Sequence, residues 1–590
     1  EALEVFGVRF PETEAQLQAA IEREKNHAMV NLDDRSISSL IDAPVIQDPT
    51  LKVLIGLLTA LGPITYLCKP SVFPLIVLTA LNHSLKYGNT EDSCFAYSMY
   101  AMLLVSIFSD VSTGYAFSEM SIQLNENFND LRLKGTVLHV YGNHINIWCN
   151  HVATNIPHLE GAFIACVEAG DISMANYVGF QGAWQMIEAG TSIVDTEQSI
   201  LKYAKFAQQS KHEAAYQTIR LEQQLLTNLR GLTYTPETLS DDDFDESEAL
   251  ATIAEAGFES GIVFYHIIKT IVFFTCDRYA DALNSAAQAS QFLQAALALP
   301  IQVNYVLYHS LVLAALYSQS SHDQQVNSLT ILQQHHQQLH DWANHCPANF
   351  LHKAKLVAAE IARIQGRDLD AMQLYEESIQ SAREHGFVQY KALAYELAAK
   401  FYLDRAFETI AKAYLEKARN CYRRWGAIAK VNHLEDCYPA LLPKPITQSN
   451  GTFLSSNDQL DFLSVVKASQ TISSEIGFPK LLKMLMRIVI EQAGADVGYL
   501  LLGSNQTLTV SIEAKINQKD TLNVSQISHA ETAKITPQSM LNYVQRTQET
   551  IILDDATETN LFSEDHYIVQ HQPKSVLCLP IVHQSHLFGI

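Results

Sequence analysis

The strongest periodic signal in the chain runs from Leu356 to Gly426, where apolar and small residues recur at helical spacing between charged ones. Two copies of one device lie within it. Gly366 is followed after five, nine and twelve residues by Ala371, Tyr375 and Ser378, and Ala406 is followed at the same offsets by Ala411, Leu415 and Ala418. Ala371 and Ala411 stand 40 residues apart. Such offsets fall on one helical stripe. A small residue early in a helix lets an antiparallel neighbour approach closely, and a larger one further on fills the groove between pairs. Asp277 repeats the device with Ala282, Ala286 and Ala289, and Gly114 stands five residues after Ser109. The pattern predicts helix pairs stacked side by side down most of the chain; an ordinary bundle with small residues at its crossings is the plainer alternative.

Elsewhere the patterning predicts an exposed helix over 11–28, an apolar helix Leu51–Leu61 started by Asp48-Pro49, and helices at 71–86, 92–108 and 112–128. Three more follow in 130–187, polar helices in 194–230, an acidic loop over 233–249, and helical pattern again from 252. The apolar run Val53–Cys68 is shorter than the ~20 residues a membrane span needs, and Gly62-Pro63 interrupts it, so it reads as a buried helix. Residues 438–458 are rich in Pro, Ser, Asn and Gly and read as a linker.

Beyond the linker the period changes. Helices are expected at 459–475 and 478–493, then a strand Val497–Leu502 and a strand with alternating Leu508, Val510, Ile512 and Ala514. A helix over 537–547, strands over 550–554 and Lys574–Val582, a turn at His583–Ser585 and a last strand from Leu587 complete an α+β pattern. The expected organisation is a helical repeat region over 1–437, a linker over 438–458 and a mixed domain over 459–590.

Composition narrows the function. At 590 residues the chain is too long for a single core. A net charge of −23 argues against a nucleic-acid surface, which needs clustered Lys and Arg. Nine scattered cysteines without a CxxC pair suit reduced thiols in a cytoplasmic protein. Candidate chemistry is sparse. The acids Asp241–Asp245 lack calcium-loop spacing and read as a solvated loop. His336 and His340 lie one helical turn apart and could reach one metal, but Pro347 ends the stretch and no ligand set is implied. The neighbouring Glu376 and Glu377 diverge around a helix, against an enzyme site. No catalytic residue, metal ligand or membrane span is expected, and no cofactor-binding residue can be assigned.

The repeated device resembles the tetratricopeptide repeat (TPR), although the spacing is longer and the usual tryptophan and closing proline are missing. After the linker, Asp554-Asp555-Ala556, the run Ser575–Ile581 and Leu587-Phe588-Gly589-Ile590 resemble the GAF domain. That resemblance implies a small-molecule pocket or a dimerisation spacer. Some such domains attach bilins through a cysteine, but Cys578 sits within a strand and reads as core. The GAF pattern calls for a further strand and a closing helix beyond Ile590, so a truncated domain is expected. The expected fold is thus mostly α, a TPR-like α-solenoid followed by an incomplete α+β GAF domain.

The order of the two resembles the middle of large bacterial, cyanobacterial-type hybrid kinases, which join a serine/threonine kinase, an AAA-type ATPase, helical repeats, a GAF domain and a histidine kinase. Phe73–Leu78, Leu85–Asn89, Trp342 with Pro347–Lys353, Glu396–Tyr402 and Arg424–Ala427 carry that likeness. It implies a regulatory segment, with ATP used only elsewhere in a parent chain, a protein partner or neighbouring domain on the solenoid, and a possible homodimer. No GxxxxGK[ST] loop, HRD or DFG motif, or phosphoacceptor box occurs here. A free-standing adaptor whose GAF domain dimerises is the alternative.

Overall fold

Every residue that opens the repeated device adopts a left-handed backbone in the computed structural model: φ is 69° at Gly366, 62° at Ala406, 57° at Asp277 and 56° at Ser109. The left-handed residue stops one helix and turns the chain straight into the next. The structure describes residues 13–442 without a break, with Leu3, Phe6 and Pro11 before them. It then describes Met486, Ile490, 495–502, 509–516, 522–525, 536–547, 550–553, Ala556, Phe562, Ser563, 565–583 and 586–589. The chain divides into two compact units, Glu1–Lys444 and Pro445–Ile590.

The described part of the first unit is helical: α1 (Glu14–Leu32), α2 (Pro49–Cys68), α3 (Phe73–Tyr87), α4 (Ser93–Ser106), α5 (Val111–Phe128), α6 (Leu131–His139), α7 (Asn155–Ala169), α8 (Ile172–Glu188), α9 (Ile193–Gln209), α10 (Glu213–Arg230), α11 (Glu246–Glu255), α12 (Glu259–Thr275), α13 (Tyr279–Ser290), α14 (Ile301–Leu316), α15 (His322–His345), α16 (Pro347–Ile364), α17 (Asp368–Glu384), α18 (Val388–Leu403), α19 (Glu408–Trp425) and α20 (Ile428–Cys437). Successive helices pack on one another, among them α4 on α5, α12 on α13, α16 on α17 and α18 on α19. Connections of three or four residues in those four pairs make the partners antiparallel.

The stripe residues sit in the crevices. Ala282, Ala286, Ala289, Ala371, Ala411, Leu415 and Ala418 are completely buried, and Tyr375 and Ser378 almost so. The device is more regular than the sequence suggests. Nine and twelve residues after Ser109 lie Ser118 and Ser121, both fully buried, and Ser121 shares a 2.7 Å hydrogen bond with Ser98. Gly170, also left-handed, is followed at the same offsets by Ala175, Gly179 and Gly182 in α8. A Cβ on Gly114 would lie 2.9 Å from the carbonyl oxygen of Ala101, which shows how closely α5 approaches α4.

One expectation fails in this unit. The apolar helix does not end at Gly62-Pro63: α2 runs on through Pro63 to Cys68. A proline inside a helix removes one backbone hydrogen bond but need not stop the chain. Thr65 hydrogen-bonds back to Leu61 and Gly62 one turn on. Among the described residues Pro49–Tyr66 is the one stretch long and apolar enough to cross a membrane. Leu54 and Leu58 pack with Ile76, Ala80 and Ala96, and the Tyr66 hydroxyl donates to the Leu297 carbonyl at 2.8 Å.

In the second unit a five-stranded sheet has the order β3–β2–β1–β7–β6, built from β1 (Val497–Leu502), β2 (Thr509–Ile516), β3 (Leu522–Ser525), β6 (Ile581–His583) and β7 (His586–Gly589). β4 (Ile551–Leu553) and β5 (Val576–Cys578) form a separate antiparallel pair. Two helices are described, α21 (Gln538–Thr547) and α22 (His566–His571). The expected single strand Lys574–Val582 is therefore two strands in two sheets, with Pro580, which offers no N–H to a ladder, between them. α22 and β3 were not expected. The linker 438–458 and the helices at 459–475 and 478–493 lie almost wholly outside the described residues.

Candidate functional site

The α-helical interior holds ionisable groups that a plain scaffold would avoid, because burying a charge is costly unless it is paired and hydrogen-bonded. Two clusters stand out, and each joins helices far apart in sequence.

The first centres on Glu188 at the end of α8. Its Oε1 accepts from Lys353 Nζ at 2.7 Å, and its Oε2 accepts from Tyr390 Oη at 2.7 Å and Asn304 Nδ2 at 3.0 Å. The Glu188 carbonyl accepts from Gln389 Nε2 at 2.8 Å, and Trp184 Nε1 donates to Asn304 Oδ1 at 3.3 Å. The ammonium of Lys353, whose side chain is 1% exposed, also lies 4.0 Å from the Tyr390 ring centre. Burial pulls the Lys353 pKa down, opposed by Glu188. One carboxylate thereby ties together α8, α14, α16 and α18.

The second cluster lies where α12 turns into α13. Glu396 accepts from Lys430 at 2.9 Å, pairs with Lys400 at 3.1 Å and accepts from the Tyr422 hydroxyl at 2.9 Å. Lys430 also donates to the Thr275 carbonyl at 2.9 Å. Lys400 reaches on to Asp277 Oδ1 at 2.8 Å. Burial would raise the Asp277 pKa, but the His433 hydrogen bond and the Lys400 and Lys430 charges override it and hold the carboxyl well below its usual range. Burial likewise pushes Glu396 up, and Lys430 and Lys400 more than reverse it. Asp277 Oδ2 meets His433 Nε2 at 2.9 Å, and Cys437 Sγ lies 3.7 Å from the same nitrogen. Among the described residues these three alone form a group of metal-capable donors within 4.8 Å of one another.

A cavity of about 50 Å³ separates the clusters, lined by Glu188, Glu396 and Lys430 together with Trp184, Tyr308 and Trp425. It has room for a few waters, far less than the roughly 300 Å³ of a small-molecule pocket. Both carboxylates have their partners, so neither is poised as a general base. The site reads as a charged junction inside an array.

The sequence candidates fare as follows. Asp245 caps α11 by accepting from Ser247 and Glu248 N–H groups, Asp241 accepts from Gln224, and Asp242 from Tyr234, so these acids serve local structure. His336 and His340 stack with ring centres 6.2 Å apart, and no third donor joins them among the described residues. Glu376 accepts from Tyr414 on α19 while Glu377 pairs with Lys355 on α16 at 2.6 Å, so the two diverge. Cys578 is buried beside Met540 and Ile551, and burial pushes its thiol up to about 11, where it stays protonated. The eight cysteines whose state is described are all free. Sequence reasoning missed both clusters. The available signals were the four-residue spacings of Glu396 with Lys400 and of His433 with Cys437.

Residues 262–403, from α12 to α18, match the family model described as CHK1-like TPR repeats, and residues 478–590 match that of the GAF domain. The chain carries CHK1-like TPR repeats and a GAF domain. Asp277, Asn304, Lys353, Tyr390, Glu396 and Lys400 all fall within the matched repeats. The chain is similar to "Hybrid signal transduction histidine kinase G" of Dictyostelium discoideum, with 26% identity over 32% of this chain and 6% of that protein. It is also similar to "Peroxide stress-activated histidine kinase mak3" of Schizosaccharomyces pombe, with 20% identity over 38% of this chain and 12% of that protein. The chain thus aligns with only a small part of each relative's length. Among solved structures, a STAND-class signal transduction ATPase with a tetratricopeptide repeat sensor from Pyrococcus horikoshii covers 79% of this chain and 67% of its own, at 12% identity and a TM-score of 0.27.

Proposed function

We propose that this chain is a regulatory segment of a signal-transduction kinase, in which the TPR-like array docks a protein partner or a neighbouring domain and the GAF domain senses a small molecule or relays the signal. The carrying observation is the pairing of the two domains in one chain that is similar, over part of its length, to histidine kinases. Stacked helix pairs suit docking, since their curvature offers a long continuous surface. The charged junctions support a role for the array as a rigid body, because each holds four or more helices at a fixed spacing. ATP chemistry, a phosphorelay and a cytoplasmic setting belong to this proposal as properties of the parent polypeptide.

The test is autophosphorylation of the parent kinase, compared between the intact protein and one lacking residues 13–442. The reading expects a several-fold change in basal or stimulated rate when the array is removed. Equal rates in both would overturn it.

A further inference from the structure

We propose that Asp277, His433 and Cys437 form a zinc site that clips the last helix of the array to the α12–α13 turn. Asp277 lies 156 residues before His433, yet the three donors converge on one point. His433 and Cys437 stand one turn apart on α20, a spacing that lets two side chains share an ion. Asp277 is delivered by the left-handed turn that opens α13.

Geometry separates this from a nucleophile relay. A cysteine activated by histidine needs the thiol on one ring nitrogen and the carboxylate on the other. Here Asp277 Oδ2 and Cys437 Sγ both address Nε2, at 2.9 and 3.7 Å. Around a tetrahedral zinc, sulfur and nitrogen ligands sit about 3.6 Å apart and nitrogen and oxygen ligands about 3.3 Å apart, from the usual bond lengths. The sulfur–nitrogen distance already fits, the oxygen–nitrogen distance falls short by only a few tenths of an ångström, and all three donor atoms lie within 4.8 Å of one another.

The surroundings orient the donors. Lys400 holds Asp277 Oδ1 at 2.8 Å, which leaves Oδ2 facing the histidine, the outer-shell arrangement that fixes a ligating carboxylate. The charges of Lys400 and Lys430 are balanced by Asp277 and Glu396, so no uncompensated cation stands against an incoming ion, and Cys437 releases its thiol proton on binding. Thiolate with imidazole favours zinc over magnesium or calcium. Cys437 is exposed, which leaves the site open to solvent and its fourth position available to water.

Cobalt(II) titration of the full 590-residue chain under reducing conditions tests the site. One equivalent should give a thiolate-to-cobalt charge-transfer band with the visible bands of a tetrahedral centre, and zinc should displace it. Cys437→Ser should abolish the band, and His433→Gln should weaken zinc binding by about tenfold or more. Cys421→Ser, a cysteine outside the group, should leave both unchanged. Zinc should raise the thermal midpoint of the native chain and not that of Cys437→Ser. Circular dichroism checks that each variant folds, and exposure of Cys437 makes its replacement by serine the safer of the two. No charge-transfer band in the native chain, or a band that survives in folded Cys437→Ser, would overturn the assignment.

Discussion

At the level of single residues, Glu188 joins four helices through one side chain and its carbonyl. Its two oxygens and its carbonyl serve Lys353, Tyr390, Asn304 and Gln389 on three other helices. Removing one member of a buried pair leaves the other charge unpaired, which costs about 3–5 kcal/mol. Glu188→Ala should therefore lower the stability of the first unit by about that amount, read from urea unfolding. Replacing both charges with apolar groups is often neutral by comparison. The double variant Glu188→Leu/Lys353→Met should thus be more stable than Glu188→Ala alone. If the double variant is the worse of the two, Lys353 is not the group that suffers from loss of Glu188. None of this was visible in the sequence, because Glu188 and Lys353 are 165 residues apart and no local pattern pairs them.

At the level of elements, the left-handed turn and the buried stripe make the helix pairs. L-residues pay about 1–2 kcal/mol in the left-handed region, and glycine avoids that while losing about 0.4–1 kcal/mol through a freer unfolded chain. Ala406, at φ 62°, should then gain roughly 0.5–1 kcal/mol on mutation to glycine. An unchanged midpoint for Ala406→Gly in thermal unfolding would mean that the turn is not strained. Gly114 predicts the opposite sign. A methyl there meets the Ala101 carbonyl oxygen at 2.9 Å and a Val105 methyl at 2.7 Å, so Gly114→Ala should cost about 1–3 kcal/mol by overpacking. Chemical denaturation reads that loss directly.

These elements were the legible part of the chain. Ser109, Asp277, Gly366 and Ala406 could be picked out because turn, stripe and helix start are local and repeat. β1 matched residue for residue, since an apolar run after a turn signal needs no distant partner. Pro63 misled because an interior proline is usually a stop. Lys574–Val582 misled because Pro580 divides what composition presents as one apolar run. Of the candidate site, only Glu396 with Lys400 and His433 with Cys437, each one helical turn apart, were close enough in sequence to be paired, and Asp277 was noted solely for its turn.

At the scale of the whole molecule, the helical unit should be sensitive to mild acid. Burial lowers the pKa of His139, His309 and His335 from 6.5 to about 4, and also pulls those of His144 and His352 well down. The unfolded chain takes up these protons below pH 6.5, while the folded chain stays neutral at the first three positions down to about pH 4. More protons on the unfolded state mean that stability falls as pH falls across that window, by of order 1.4 kcal/mol per pH unit for each such histidine. The net charge of −23 works against this trend only lower down. Neutralising carboxylates relieves self-repulsion mainly below about pH 5, near their ordinary pKa values. In the interval from pH 6.5 to 5 the five buried histidines therefore dominate, opposed in part by the single carboxyl of Glu222, which burial pushes well up. The urea midpoint of the helical unit, followed by its helical circular dichroism in the full chain, should drop steadily from pH 7 to pH 5. Because the affected histidines span α6, α14, α15 and α16, the loss should appear as one concerted transition, since stacked repeats stabilise one another through shared interfaces. A midpoint that holds constant over that interval would mean that the buried rings find their protons without unfolding.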